Sequence, residues 1–410
     1  MPQEDPPMKK KKKWLRFRHK IIRSVLVYPV YWFSKLKYHM TIDKFKQQED
    51  RPYLILYNHQ TAFDQFFVGM AFRGPVYYVA SEDLFSKGWV SSLIRWLVAP
   101  IPIKKQVTDI GAVMNCLRVA KEGGTIAIAP EGNRTYSGKT EYMSSAIAPL
   151  AKKLKLPIVL YKLEGGYGVH PRWSDKTRKG KMHCYVSEVI QPEEYAPMTN
   201  EELFDRIEKG LYVDEGVADG TFKSKKRAEY LERAVYVCPF CGLSKFESHG
   251  NEITCKTCGK TVTYGEDKTL TGVGFEFPFQ FMTGWYDYQK DFVNKLDVTA
   301  CTEEPLFRDQ ANLSQVIVYK EKKLLRKDAQ IALYGDRIVI DEGAENEWVL
   351  RFEEIMTLSV LGKNKLNIYY GDKLYQLKSD KRFNALKYVN IYFRNRNITS
   401  GEENETFLGL

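Results

Sequence analysis

The sequence predicts an α/β protein extended by two smaller modules: a cysteine-knuckle module, and a C-terminal β-barrel-like domain closed by a helix. Three observations carry that prediction. Between about residues 51 and 225, nearly continuous apolar runs of strand length alternate with helical stretches, the pattern of a largely parallel sheet covered by helices. Two Cys-x-x-Cys pairs follow, at Cys238–Cys241 and Cys255–Cys258. From about residue 305 short strands separated by turn residues succeed one another and end in an amphipathic helix. At 410 residues, with 44% apolar and 13% aromatic content, the chain can bury a sizeable core in two to four units.

The chain opens on a basic, aromatic arm spanning residues 1–50. Residues 1–46 hold thirteen Lys/Arg against three Asp/Glu, so ten of the eleven net positive charges lie there. Five consecutive lysines, Lys9 to Lys13, precede Trp14, Phe17, Tyr28, Tyr31, Trp32 and Phe33, with Arg and Lys between them. The longest uninterrupted apolar run, Val25 to Phe33, falls well short of the ~20 residues that span a bilayer. No A-x-A-like cleavage site follows it, which argues against a removable signal peptide. Such a segment suits the headgroup region, with rings inserted and cations against anionic lipid. The remaining chain offers no basic surplus to extend a nucleic-acid footprint, and none is expected.

In the α/β segment, strands are expected at 53–57, 76–80, 125–129, 158–163 and 183–189. Helices are expected at 64–73, 88–97, 109–122, 143–154 and 200–209. The first strand ends in Asn58-His59, and Asp64 follows at the start of the next helix, with Asn58 and Thr61 as expected N-caps. On one continuous helix residues five apart diverge by about 140°. A turn leading into a helix instead lets the carboxylate fold back on the imidazole, fix its tautomer and leave the other nitrogen as a base. Two further blocks fall at element ends, where α/β proteins usually place their sites. One is Ala99-Pro100-Ile101-Pro102-Ile103-Lys104-Lys105, and the other is Ala129-Pro130-Glu131-Gly132-Asn133-Arg134, a carboxylate and a guanidinium fork on a Gly-hinged turn.

In this order and spacing, the blocks resemble the glycerolipid acyltransferases typified by 1-acyl-glycerol-3-phosphate acyltransferase. That family carries Asn-His-x4-Asp, an Ile-Pro-Ile-x-Arg-like block, Phe-Pro-Glu-Gly-Thr-Arg and a later Pro-Ile-Val block. The counterparts here are Asn58 to Asp64, Ile101 to Lys105, Ala129 to Arg134 and Pro157 to Val159. Ala129, Asn133 and Lys105 depart from the family's Phe, Thr and Arg. The resemblance covers residues 20 to 225 and implies an acyltransferase α/β domain at 51–225 with N-terminal membrane-associating helices. It implies single-displacement acyl transfer from acyl-CoA or acyl-ACP: His59, oriented by Asp64, deprotonates an acceptor hydroxyl that attacks the thioester. Glu131, Gly132 and Arg134, with Lys104 and Lys105, would hold a lysophosphatidic-acid-like acceptor.

The two knuckles, each followed by Gly and separated by thirteen residues, predict a ribbon at 234–264 with Cys238, Cys241, Cys255 and Cys258 around a structural zinc. Residues 214–233 read as a polar connector or helix, and 265–304 as an aromatic connector with a helix in its later part. Beyond it, strands are expected at 316–319, 331–333, 337–340, 347–351, 356–360, 365–370 and 373–378. A helix capped near Ser379 or Asp380 then closes the module. Seven strands and a closing helix at 305–400 look like a pleckstrin-homology-type domain, by pattern alone.

Three functions are therefore weighed: acylation of a lysophosphatidic-acid-like acceptor, the same chemistry on another lysolipid or a glycolipid, and a non-catalytic lipid-binding scaffold. Expected partners are the lipid acceptor, the acyl thioester donor, an anionic membrane surface and a protein partner at the ribbon or C-terminal domain. The unpaired pattern of seven cysteines points to a reducing compartment. Together these place the chain on the cytoplasmic face of the cell membrane, peripheral or monotopic.

Overall fold

The computed structural model describes residues 13–85, 88–103, 109–218, 220–317 and 322–401. Lys9 to Lys12, Lys104, Lys105 and the end of the strand expected at 316–319 lie outside the described residues.

A seven-stranded sheet comprises β1 (Met40–Ile42), β2 (Leu54–Tyr57), β3 (Val76–Ser81), β4 (Ile101–Ile103), β5 (Thr125–Ile128), β6 (Ile158–Glu164) and β7 (Met182–Ile190). Its order is β1-β7-β6-β2-β5-β3-β4, and every neighbouring pair is parallel except β6–β7. The apolar runs are continuous because both faces are covered. Leu54 and Leu56 enter one core with Ile158 and Leu160, while Ile55 and Tyr57 enter the other with Val159 and Tyr161. The helices are α1 (Phe17–Tyr38), α2 (Asp64–Ala71), α3 (Trp89–Val98), α4 (Ile110–Lys121), α5 (Ile147–Leu154), α6 (Gly166–Val169), α7 (Pro192–Tyr195) and α8 (Asn200–Leu211). One face of the sheet is covered by α1 and α2, the other by α4, α5 and α8.

The cysteine knuckles hold two short strands, β8 (Val237–Cys238) and β9 (Gly242–Leu243), beside a four-stranded meander. That meander runs through β10 (Phe246–His249), β11 (Glu252–Cys255), β12 (Thr261–Tyr264) and β13 (Leu270–Gly272). Helix α9 (Met282–Lys295) follows. The chain then forms β14 (Phe307–Val316), β15 (Lys323–Leu333), β16 (Arg337–Ile340), β17 (Trp348–Arg351), β18 (Ile355–Leu361), β19 (Lys365–Tyr370) and β20 (Lys373–Lys378). These strands make an antiparallel half-barrel in the order β17-β16-β15-β14-β20-β19-β18. Strand β14 bends it by pairing with β15 on one side and β20 on the other, with register shifts between Ala311 and Ser314. Helix α10 (Leu386–Ser400) packs on it, with Tyr392 against Phe352 at 5.4 Å.

Four expectations are corrected. The first C-terminal strand starts at Phe307, nine residues before 316, and β15 starts at Lys323. The last helix begins after Ala385 rather than at a Ser379 or Asp380 cap; the Asn384 side chain accepts the Lys387 amide. Helix α5 starts at Ile147, not at 143. Residues 214–233 are a connector whose described residues hold isolated bridges at Asp214 and Lys223 and a closing 3-10 turn, and at its end the buried Arg233 pairs with Asp175 at 2.9 Å and donates to the Trp173 carbonyl. One apolar core runs through ribbon, α9, half-barrel and α10, and reaches Tyr136, Tyr167 and Trp173 of the α/β domain.

Candidate active site

Strands β2 and β5 are parallel neighbours, so the turns after them emerge side by side at one edge of the sheet. That topology brings together two blocks seventy residues apart in sequence. His59 sits in the turn after β2, and its Nδ1 lies 2.7 Å from Asp64 Oδ2. Asp64 is fully buried at the start of α2 and also accepts from the amides of Gln60 and Thr61 and from the Thr61 hydroxyl. A carboxylate held by so many donors cannot rotate away from the imidazole.

Neither expected N-cap caps the helix; Phe63 occupies that position. Thr61 instead gives its hydroxyl to Asp64, and Asn58 makes a two-way amide pair with the backbone of Leu163 on β6. That pair extends the sheet by one rung and fixes where the turn carrying His59 begins.

On β5 the turn is made possible by Gly132 at φ +67°, a left-handed conformation that side-chain-bearing residues rarely adopt. Glu131 is buried and its Oε1 accepts the His59 amide at 2.8 Å. Its carboxyl therefore braces the backbone of the imidazole residue. Burial raises its pKa to about 8, against the lowering effect of that hydrogen bond. Arg134 is also buried, its Nη1 has no hydrogen-bond partner among the described residues, and burial together with Arg172 lowers its pKa to about 10. Asp64 favours the charged guanidinium through space, but a buried donor left without a hydrogen bond is costly.

Sequence reasoning missed three groups around this centre. Tyr38 at the end of α1 places its hydroxyl 3.3 Å from His170 Nδ1. Burial, then Lys363, Arg134 and Lys37, push His170 down to about 3, so its imidazole is neutral at physiological pH. Lys363 arrives from the half-barrel. No local motif marks any of them, because each is placed by contacts across more than one hundred residues. Strand β4, from the Ile-Pro-Ile block, runs parallel at the far end of the sheet.

The four ribbon cysteines also converge. All four Sγ atoms lie within 4.8 Å of one another, with Cys238–Cys258 at 3.7 Å and Cys241–Cys255 at 3.6 Å. Thiolates at ~2.3 Å from a tetrahedral metal sit about 3.8 Å apart, whereas a disulfide needs ~2.0 Å. Gly242 and Gly259, at φ +77° and +74°, let the chain reverse after each knuckle. His249 is exposed and pairs with Glu247.

An α/β domain with a His–Asp dyad beside a buried arginine whose Nη1 has no hydrogen-bond partner among the described residues is the class of site these elements define. Residues 39–160, under a third of the chain, match the family model described as Acyltransferase, and His59, Asp64, Glu131, Gly132 and Arg134 all lie inside that interval. Among solved structures, the crystal structure of the 1-acyl-sn-glycerophosphate (LPA) acyltransferase PlsC from Thermotoga maritima is similar over 48% of this chain and 80% of that one. Identity there is 22% and the TM-score 0.40. No curated protein matches the chain.

The raised pKa of Glu131 has a consequence for stability. Its folded value exceeds its unfolded one, so the protonated form stabilises the fold fully below about pH 4.5, and that contribution is lost as pH rises through about 8. Glu131→Gln should therefore melt like the wild type near pH 5 and at a higher temperature than the wild type near pH 8.5. Thermal melts across that range check it; parallel curves would remove the assignment.

Proposed function

We propose that the protein transfers a fatty acyl group from an acyl thioester to the hydroxyl of a lysophosphatidic-acid-like acceptor in phospholipid biosynthesis. The observation that carries this is the His59–Asp64 pair standing next to a buried arginine with no partner for Nη1. His59 Nε2 takes the acceptor hydroxyl proton, the oxygen adds to the thioester carbonyl, and the C–S bond breaks. The departing thiolate recovers the proton from the imidazolium, which Asp64 stabilises. Arg134 offers a bidentate fork to the acceptor phosphate, and Glu131, neutral at pH 7, holds the His59 turn without repelling that anion. Lys104 and Lys105 remain candidate cations for the same headgroup. Purified protein given acyl-CoA or acyl-ACP and a panel of lysolipids and glycolipids should acylate lysophosphatidate fastest. Transfer to none of them would leave lipid binding without catalysis.

The site would draw its acceptor from a bilayer. No helix among the described residues is long and apolar enough to cross a membrane. Yet α1 exposes Phe17, Ile21, Val25, Tyr28, Trp32 and Leu36 along one stripe, and α3 beside it exposes Trp89, Leu93 and Trp96. A soluble helix hides such a stripe. Arg18 bridges the two helices by donating to the Trp96 carbonyl, and Lys35 and Lys37 lie over rings of the same helix. This face fits a peripheral or monotopic seat on an anionic membrane, on the cytoplasmic side where four thiols stay reduced. Changing Trp32 and Trp96 to Ser should cut partitioning onto phosphatidylglycerol vesicles about tenfold with melting unchanged. Equal partitioning would exclude this face. The ribbon is assigned a structural zinc, and the half-barrel a pleckstrin-homology-like role toward lipid or protein.

A further inference from the structure

Arg172 is among the largest side chains fully buried in the protein and belongs to none of the blocks that mark the candidate active site. Its guanidinium joins two parts of the chain. Toward the α/β domain, Nη1 donates to the Arg134 carbonyl at 2.8 Å and Nη2 reaches Asn133 Oδ1 at 3.4 Å. Toward the half-barrel, Nε donates to the Gly362 carbonyl at 2.8 Å and Nη2 to the Val360 carbonyl at 3.2 Å. Those carbonyls lie at the end of β18 and in the turn to β19.

The same turn is clipped a second time. Tyr136, stacked under Arg172 at 4.1 Å, donates its hydroxyl to the Lys363 carbonyl at 2.9 Å. Lys363 Nζ reaches the Ser174 carbonyl and pairs with Asp175 at 2.9 Å, and Asp175 also holds Arg233. Burial alone would raise the Asp175 pKa, but Arg233 and Lys363 hold it well below the usual carboxylate range. Lys363 is thus engaged as a clip, not presented to a ligand.

Two buried guanidiniums side by side repel, and Arg172 depresses the pKa of Arg134. The gain is positional. Only a planar fork can bond the Arg134 carbonyl, the Asn133 amide and two half-barrel carbonyls together. Asn133, where the family block has Thr, supplies one of those acceptors.

We propose that Arg172 is a positioning residue for the acceptor-binding turn and that the half-barrel, by holding Arg172, completes the acyltransferase site. This rests on the acyl-transfer reading of His59 and Arg134. The half-barrel acts on the turn that carries Arg134, while the Asp64 carboxylate that orients the His59 ring is held by Gln60 and Thr61 on its own side.

The test uses the full chain. Arg172→Lys keeps the charge and loses the fork, and a Tyr136→Phe/Lys363→Ala double variant loosens the turn with Arg172 intact. Both should raise the acceptor KM, by roughly tenfold for Arg172→Lys, with donor KM unchanged and kcat within about threefold. In both, amide hydrogen exchange should accelerate at residues 131–136 and stay at the wild-type rate at 54–58. Wild-type acceptor KM and wild-type exchange at 131–136 in variants that melt normally would overturn the proposal. A loss confined to kcat would overturn it as well. If Arg172→Lys fails to fold, the double variant decides. A wild-type enzyme inactive on every acceptor sinks the acyl-transfer reading instead, while the exchange result still reports whether the turn depends on Arg172.

Discussion

His59→Ala should lower acyl transfer by about a thousandfold while the protein melts within a few degrees of the wild type. The rate effect is that of removing a positioned general base, on the order of 10²–10⁴. The mild stability effect follows from the packing: the imidazole is partly exposed, and its backbone amide, which Glu131 holds, survives the substitution. Asp64 differs. It is buried and accepts from three donors of Gln60 and Thr61 besides its bond with His59, so Asp64→Ala would strand those donors and confuse folding with catalysis. Asp64→Asn is the informative partner. Its amide would favour the wrong tautomer of His59, and because the two residues act as a unit, His59→Ala/Asp64→Asn should be little worse than His59→Ala alone. A steady-state assay with lysophosphatidate reads both results. Turnover surviving His59→Ala would sink the general-base mechanism.

Local order made some of this legible in sequence, and long-range order hid the rest. The cysteines of each knuckle lie three residues apart and paired spacing was enough to mark them, whereas His59 and Asp64, five residues apart, stood out only with the Ile-Pro-Ile and Pro-Glu-Gly-x-Arg blocks beside them. Five of the seven α/β strands were found because their apolar runs are unbroken, whereas β1 and β4, three residues each, are too short to show a pattern. Strand β14 was missed until its last residue because register shifts between Ala311 and Ser314 interrupt the period-two alternation of Phe307, Ala311, Leu313 and Val316. The first part of β15 was missed because Leu324 and Leu325 point to solvent. Asn58 failed as a cap because Leu163 offers it both a donor and an acceptor, and tertiary pairing outcompetes a local propensity. Arg172 left no trace. Its partners at Val360 and Gly362 are backbone carbonyls nearly two hundred residues away, and carbonyls carry no sequence signal.

Removing the zinc proposed for the four cysteines should unfold much more than the ribbon. The four cysteines are placed for tetrahedral coordination, and a structural zinc contributes on the order of 10 kcal/mol to folding. Here the knuckles are built into the C-terminal core. Trp285 of α9 donates its indole N–H to the Val237 carbonyl, Gln289 accepts the amides of Tyr236 and Val237, and Phe246 packs on Trp285 at 5.5 Å. From the other side, Asn384, just before α10, donates to the carbonyls of Glu232 and Val235. Without a metal nothing would tie the two knuckles together, β8 and β9 would separate, and α9 would lose the surface on which it is seated. Reduced protein should therefore release one zinc per chain to a strong chelator and melt on the order of ten degrees lower, with near-ultraviolet dichroism lost from the Trp285 cluster. Cys255→Ser, at the most buried of the four ligands, should reproduce this without chelator. Because the β18–β19 turn belongs to the same core, acceptor binding should fall in step with the metal. Metal-free protein that keeps its melting temperature and its dichroism would refute a structural role for the cysteine cluster.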